Sequence, residues 1–257
     1  MRTALRLGVV VLIFAVMGWA PGAFALTITD KYIGADPSRN YNHVDVIGAE
    51  SLFDIFGMEV NLIGTQLVVD IHSNYFNGHV GALHTGLGDL FISDNGWNPY
   101  SQFPGDNYVS DNSDNGETWE YVIALDVVDS KNVARLYSLK GLTDEEYAER
   151  ILLSNEVKDP SWYIYRERQE VLYGGPEDAY IRTGEWGING EFLNISINTE
   201  ALGWDLSTLG FHYGMTCGND VIEGSAAPAP EPATVFLFGA GLIAMAVVGR
   251  KKMRGGK

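Results

Sequence analysis

The residues best suited to chemistry lie between Asp111 and Glu117, the run Asp-Asn-Ser-Asp-Asn-Gly-Glu. Oxygen side chains recur at alternate positions, with a glycine to turn the chain, which is what a Ca²⁺ ion asks of a loop. In the register of a helix-loop-helix calcium loop, Asp111, Ser113, Asn115 and Gly116 take the first, third, fifth and sixth places. The twelfth place falls on Val122, so the bidentate glutamate is missing, and no helical pattern flanks the run. An EF-hand is excluded. What is left is a single Ca²⁺ clasp on a loop of a β-domain, with Glu117 in it and with Asp94 and Asp106 from neighbouring turns to complete it. The alternative is a solvated Asp/Asn/Gly hairpin tip. Ca²⁺ is the candidate ion, and no cofactor is required.

Aromatic residues form the next group. Trp97, Tyr100, Phe103 and Tyr108 cluster in a turn-rich stretch. Flat rings of this kind offer a stacking platform to sugar faces, or else plug one end of a β-domain. Glu117 and Glu120 have the residue type of a glycosidase acid pair, but odd spacing along a strand places them on opposite faces. His43, His72, His79, His84 and His212 are scattered, and His79 and His84 read as surface residues. Nucleophile-elbow, zinc-protease and Walker patterns are absent, so the chain reads as non-catalytic. The single cysteine, Cys217, has no disulfide partner within the chain and reads as a small buried apolar residue. His212 lies five residues upstream on one strand pattern, so the two side chains face opposite ways.

These residues sit in a body bounded by two address segments. Arg2 and Arg6, the apolar run Leu7–Ala20 and the small residues Ala23 and Ala25 make residues 1–25 a secretory signal peptide, with Leu26 as the mature N-terminus. The partners implied are the Sec export machinery and signal peptidase. At the other end, Pro230-Glu231-Pro232 precedes an uncharged run, and Arg250, Lys251, Lys252 and Arg254 follow it. Residues 228–257 thus form a tail with a transmembrane segment over 233–249. Its uncharged core, Ala233–Val248, spans about 24 Å as a helix, against about 30 Å of hydrocarbon. The cations should stay cytoplasmic and the body should face outward.

Seven of the 17 Lys+Arg and one of the 33 Asp+Glu lie in these terminal segments. The body, 26–227, keeps 10 cations against 32 carboxylates, a formal charge of −22. Such a surface excludes nucleic acid, which needs a cationic face. It favours solubility and suits a domain that holds divalent cations. About 200 residues are enough for one well-cored domain.

Strand patterns fill that body. Val44–Gly48, Phe53–Gly57, Glu59–Gly64, Gln66–His72, Asp89–Ser93, Trp119–Leu125, Ala134–Leu139, Glu170–Tyr173, Ala179–Arg182, Glu185–Ile188, Phe192–Ile197 and Leu209–Met215 are short, β-rich and bounded by turn residues. Gly64-Thr65 predicts a two-residue hairpin turn. Thr143 and Glu146 predict a capping box, with Tyr147, Ile151 and Leu152 at helical spacing inside an insertion from Ser138 to Pro160. The expected fold is mainly β: an antiparallel, jelly-roll-like β-sandwich with one short inserted helix. Phe211, Met215 and Cys217 should share its inward face.

The order Pro-Glu-Pro, apolar run and basic cluster closely resembles the PEP-CTERM sorting signal of Gram-negative bacteria. Gly88–Ser93, Gly96–Pro99, Gly116–Val122 and Cys217–Gly224 resemble segments of many surface proteins that carry that signal. The resemblance implies recognition by an exosortase, removal of the tail after transient anchoring in the inner membrane, and a final place at the cell surface or in the extracellular or biofilm matrix. The function expected is a non-catalytic binding or structural module for extracellular polysaccharide. A carbohydrate-acting enzyme on the same scaffold is the alternative.

Overall fold

The computed structural model describes residues 24–34, 45–100, 107–108, 110–157, 166, 168–225 and 227–228. Residues 1–23 of the expected signal peptide 1–25 and the expected transmembrane segment 233–249 lie outside them, while Phe24 and Ala25 fall in the first strand. No helix among the described residues is long and apolar enough to cross a membrane. The chain separates into two compact units, Met1–Ala227 and Pro228–Lys257.

Period-two sequence becomes strand wherever one face can be buried. In β4 (Gln66–Ser73) every second residue, Leu67, Val69, Ile71 and Ser73, is buried while its neighbours are partly exposed. β12 (Phe192–Asn198) does the same with Leu193, Ile195 and Ile197. The other main strands are β1 (Phe24–Thr29), β3 (Ile55–Ile63), β5 (Leu90–Ser93), β7 (Tyr121–Val128), β8 (Lys131–Ser138), β11 (Arg182–Asn189), β13 (Gly210–Gly214) and β14 (Val221–Ser225). Hairpins join β3 to β4 at Gly64–Thr65, where Gly64 takes φ 64°, and β7 to β8 at Asp129–Ser130. Two two-residue strands, β2 (Tyr32–Ile33) and β6 (Asn107–Tyr108), pair in parallel apart from the main sheet.

The main strands form one continuous antiparallel sheet, in the order β14, β13, β5, β7, β8, β11, β12, β4, β3, β1. Two stacked sheets were the expectation; one coiled sheet forms instead. A right-handed twist accumulated over this many strands curls a sheet toward closure. The ends of the order do come together. A Cβ placed on Gly224 of β14 would stand 2.8 Å from Ile28 Cγ2 of β1, so a side chain there would have to push the Ile28 methyl aside. The sheet is nearly a barrel, and closure protects the edges that an open sheet would leave exposed.

The barrel has a core on its inner face and a second one outside. Tyr121 and Ile123 of β7 face inward with Leu136, Phe211, Tyr213, Met215 and Cys217. Val122 and Ala124 face outward with Phe91, Trp119 and Tyr137. An insertion covers this outer patch. It opens with α2 (Asp144–Arg150), where Thr143 Oγ1 accepts from Glu146 N at 3.2 Å and Glu146 Oε2 accepts from Thr143 N at 2.8 Å, completing the expected capping box. The helix then stops earlier than its spacing suggests. Ile151 and Leu152 fall in β9 (Ile151–Leu153), which pairs with β10 (Glu170–Tyr173), so pairing with an available strand overrides the helical register. Two four-residue helices also form, α1 (Glu50–Phe53) and α3 (Ser154–Val157), each too short to show a period in sequence. Asp45–Gly48, expected as strand, is a bend.

Candidate functional site: an acidic cavity behind the inserted helix

Between the barrel's outer face and the insertion lies a cavity of about 750 Å³. Its apolar wall is Trp119 and Leu139 from the barrel side and Leu142, Tyr147, Ile151 and Leu153 from the insertion. Its polar wall carries six carboxylates, those of Asp114, Glu117, Glu120, Asp144, Glu156 and Glu170, against two cations, Lys140 and Arg168. Both cations are already engaged, Lys140 with Asp94 at 2.5 Å and Arg168 with Asp114 at 2.5 Å. Glu117 and Glu120 were expected on opposite strand faces. β7 begins only at Tyr121, so both lie in the preceding loop, and both line this one cavity. Glu117 Oε2 accepts from Asn98 N at 2.6 Å, and Glu120 accepts from Asp94 N at 3.1 Å and Asn95 Nδ2 at 2.6 Å.

Beneath this wall lies a layer of buried charge. His212 Nδ1 is 2.7 Å from Glu223 Oε1, and His212 Nε2 is 2.6 Å from the Glu170 carbonyl oxygen. Both ring nitrogens face oxygens, an arrangement that favours the doubly protonated, charged imidazole. Burial opposes that charge, but the hydrogen bond and charge of Glu223 and the charge of Glu170 outweigh it and raise the imidazole pKa. Trp97 Nε1 donates to the other oxygen of Glu223 at 3.0 Å. Burial pushes Glu170 up to about 7; His212 pulls it down and Glu223 pushes it up. Asp111 is 1% exposed, its Oδ2 has no hydrogen-bond partner among the described residues, and burial with the charges of Glu223 and Glu170 pushes it up to about 8. Glu117 is also raised, chiefly by burial.

The structure therefore redistributes the residues expected to hold calcium. Asp111 is not at a solvated tip: it is buried beneath its own loop, beside the Glu170 and Glu223 layer. Ser113 and Glu117 line the cavity, and Ser113 Oγ has no hydrogen-bond partner among the described residues. Asn115 is exposed, Asp94 is engaged by Lys140, and Asp106 lies outside the described residues. Glu170, Glu223 and His212 were not singled out as site residues, because each sits in an ordinary strand run. The available signal was a charged residue at a position that β-periodicity would bury.

The aromatic group is also committed elsewhere. Trp97 and Tyr108 meet edge to face at 5.1 Å, and the Lys31 ammonium lies 4.5 Å from the Trp97 ring centre. Tyr100 is exposed, and Phe103 lies outside the described residues.

Asp30, Asp45 and Asp220 form a further acidic group, each offering a carboxylate oxygen within 4.8 Å of the others. Asp220 is fully buried and accepts from Ile55 N at 2.6 Å and Val221 N at 2.9 Å. Arg166, also fully buried, lies 3.5 Å from Asp220 Oδ1, donates to Asn219 O at 2.8 Å and reaches the Asp45 carbonyl oxygen. Burial and then the neighbouring Asp220 and Asp45 push Asp30 up to about 10. Burial raises Asp220 as well, against the pull of Arg166. Carboxylate oxygens are the ligand type that Ca²⁺ takes, and three are fewer than the roughly six to eight it coordinates.

The tail gives a separate finding. Residues 228–252 match the family model of the PEP-CTERM protein-sorting motif. The match contains Pro230, Glu231 and Pro232 and ends with Lys252 in the basic cluster. The motif implies export, a membrane-anchored sorting signal at the C-terminus and an exosortase as processing partner. No curated protein and no solved structure matches the chain.

Proposed function

We propose that the protein is an exosortase-sorted surface or matrix protein whose barrel binds extracellular polymer without turning it over. The observation that carries this reading is the sorting motif at 228–252, which follows a compact body of charge −22. Cleavage after Ala25 leaves Leu26–Thr29 of β1 to pair with Gly57–Val60 of β3, so the mature chain keeps that edge. The tail then gives the body its address, and the acidic surface keeps it soluble and repels anionic membranes. In this reading Ca²⁺ is a stabiliser of the acidic body rather than a reagent.

The test is a screen of the purified full chain against envelope and matrix polysaccharides, for binding and for hydrolysis. Binding without product release supports the module. A second reading has one observation behind it: Glu117 and Glu170, two carboxyls with raised pKa, line the same cavity. Turnover that disappears in Glu170→Gln would make the protein a carbohydrate-acting enzyme and overturn the module.

A further inference from the structure

We propose that the cavity behind the inserted helix is a binding site for a small aliphatic amine, held as its ammonium ion against the Glu170 carboxylate. The inference goes beyond the polymer-binding reading and stands or falls separately from it. Glu170 is 4% exposed, yet it lines the cavity. Among the described residues no side chain hydrogen-bonds to its carboxylate and no ion pair reaches it. What holds its charge is the His212 charge, a hydrogen bond from its own backbone N–H and, more weakly, the Arg168 charge. A carboxylate so buried normally has a charged or hydrogen-bonding partner. The wall supplies no ion pair to it, since Lys140 and Arg168 are paired with Asp94 and Asp114.

The ligand class follows from the rest of the wall. At about 750 Å³ the space is of small-molecule size, larger than a bare ion needs. Leu139, Leu142, Ile151 and Leu153 suit an apolar stem. Trp119 and Tyr147 present aromatic rings beside a cationic head. The six-to-two excess of carboxylates over cations rejects anions. An aliphatic ammonium on a short hydrocarbon stem meets each of these demands.

Binding requires Glu170 to be ionised. The groups that face it are His212 from β13, Glu223 from β14, Asp111 and Arg168 from the flanking loops and Tyr147 from α2. An aliphatic amine keeps its charge below pH 9, so affinity should track the Glu170 carboxylate and weaken as pH falls through about 7.

The experiment is a tryptophan-fluorescence titration of the full chain with 1,5-diaminopentane and with the neutral 1,5-pentanediol. The diamine should bind and the diol should not. Affinity for the diamine should drop about tenfold between pH 8 and pH 6. Glu170→Gln should lose at least tenfold in affinity with its melting temperature kept, while Glu59→Gln, an exposed change on β3, should bind as the parent does. If Glu170→Gln does not fold, the diol contrast and the pH profile decide the matter. Equal binding of diol and diamine, a flat pH profile, equal losses in both variants, or no saturation at millimolar diamine would each overturn the proposal.

Discussion

His212 Nδ1 lies 2.7 Å from Glu223 Oε1, and neither residue is more than 4% exposed. Adjacent strands β13 and β14 place the two directly opposite one another, in register His212↔Glu223. Antiparallel pairing therefore fixes the ion pair, and through the Glu170 carbonyl it fixes the floor of the cavity.

That pair gives the first prediction. Glu223→Ala strands a buried imidazolium and removes the acceptor of Trp97 Nε1, so it should cost about 3–5 kcal/mol of stability. Replacing both partners, with His212→Phe and Glu223→Leu together, leaves no uncompensated charge and should cost less than the single change. Denaturant unfolding of the two variants checks this. Equal or greater loss in the double variant would show that the pair contributes more than an apolar contact could.

A second prediction concerns pH. Asp30, at about 10, Asp111, at about 8, and Asp89 and Glu170, each at about 7, all bind protons more tightly folded than unfolded. For a group raised in this way, stability is fully present below the unfolded pKa near 4 and is lost as pH rises through the folded value. The melting temperature should therefore fall between pH 5 and pH 9. Millimolar Ca²⁺ held by the Asp30, Asp45 and Asp220 carboxylates should offset part of that loss. Ligand at a hundredfold excess over Kd adds about 2.7 kcal/mol. Asp220→Asn should abolish the Ca²⁺ response, whereas Asp111→Ala abolishing it instead would assign the ion to the 111–117 loop. A melting temperature that rises with pH would contradict the burial of these carboxyls.

The β7–β8 hairpin supplies a third. Asp129 and Ser130 both take positive φ, 50° and 63°, a conformation that costs a residue with a side chain roughly 1–2 kcal/mol. Ser130→Gly should stabilise the protein by about 1 kcal/mol, seen as a higher melting temperature. A loss of stability would mean that the Ser130 side chain makes a contact worth more than the strain.

How far the fold could be read from the sequence depended on the element. The β3–β4 hairpin was legible because its turn residues and alternation agree, and the capping box because two side chains three apart carry it. The inward set Phe211, Met215 and Cys217 was legible from even spacing alone; Cys217 is buried, with its thiol pushed up to about 11 by that burial. Whether the strands make one curled sheet or two stacked ones was not legible, because it depends on long-range pairing such as β14 coming round to β1. The site was legible only in part. Asp111, Ser113 and Glu117 announced themselves by density of oxygen ligands. Glu170, His212 and Glu223 are single charged residues in strands, and only the fold brings them together.

The central claim is that the tail is a sorting address that is read and removed. Its most direct test is the intact mass and C-terminal sequence of the protein recovered from the envelope or medium of the producing cells. The account predicts a mature chain that starts at Leu26 and ends at or near Pro230-Glu231-Pro232, with the apolar run and the basic cluster gone. Recovered protein that keeps the residues beyond Thr234 would contradict it and leave the tail as a plain membrane anchor.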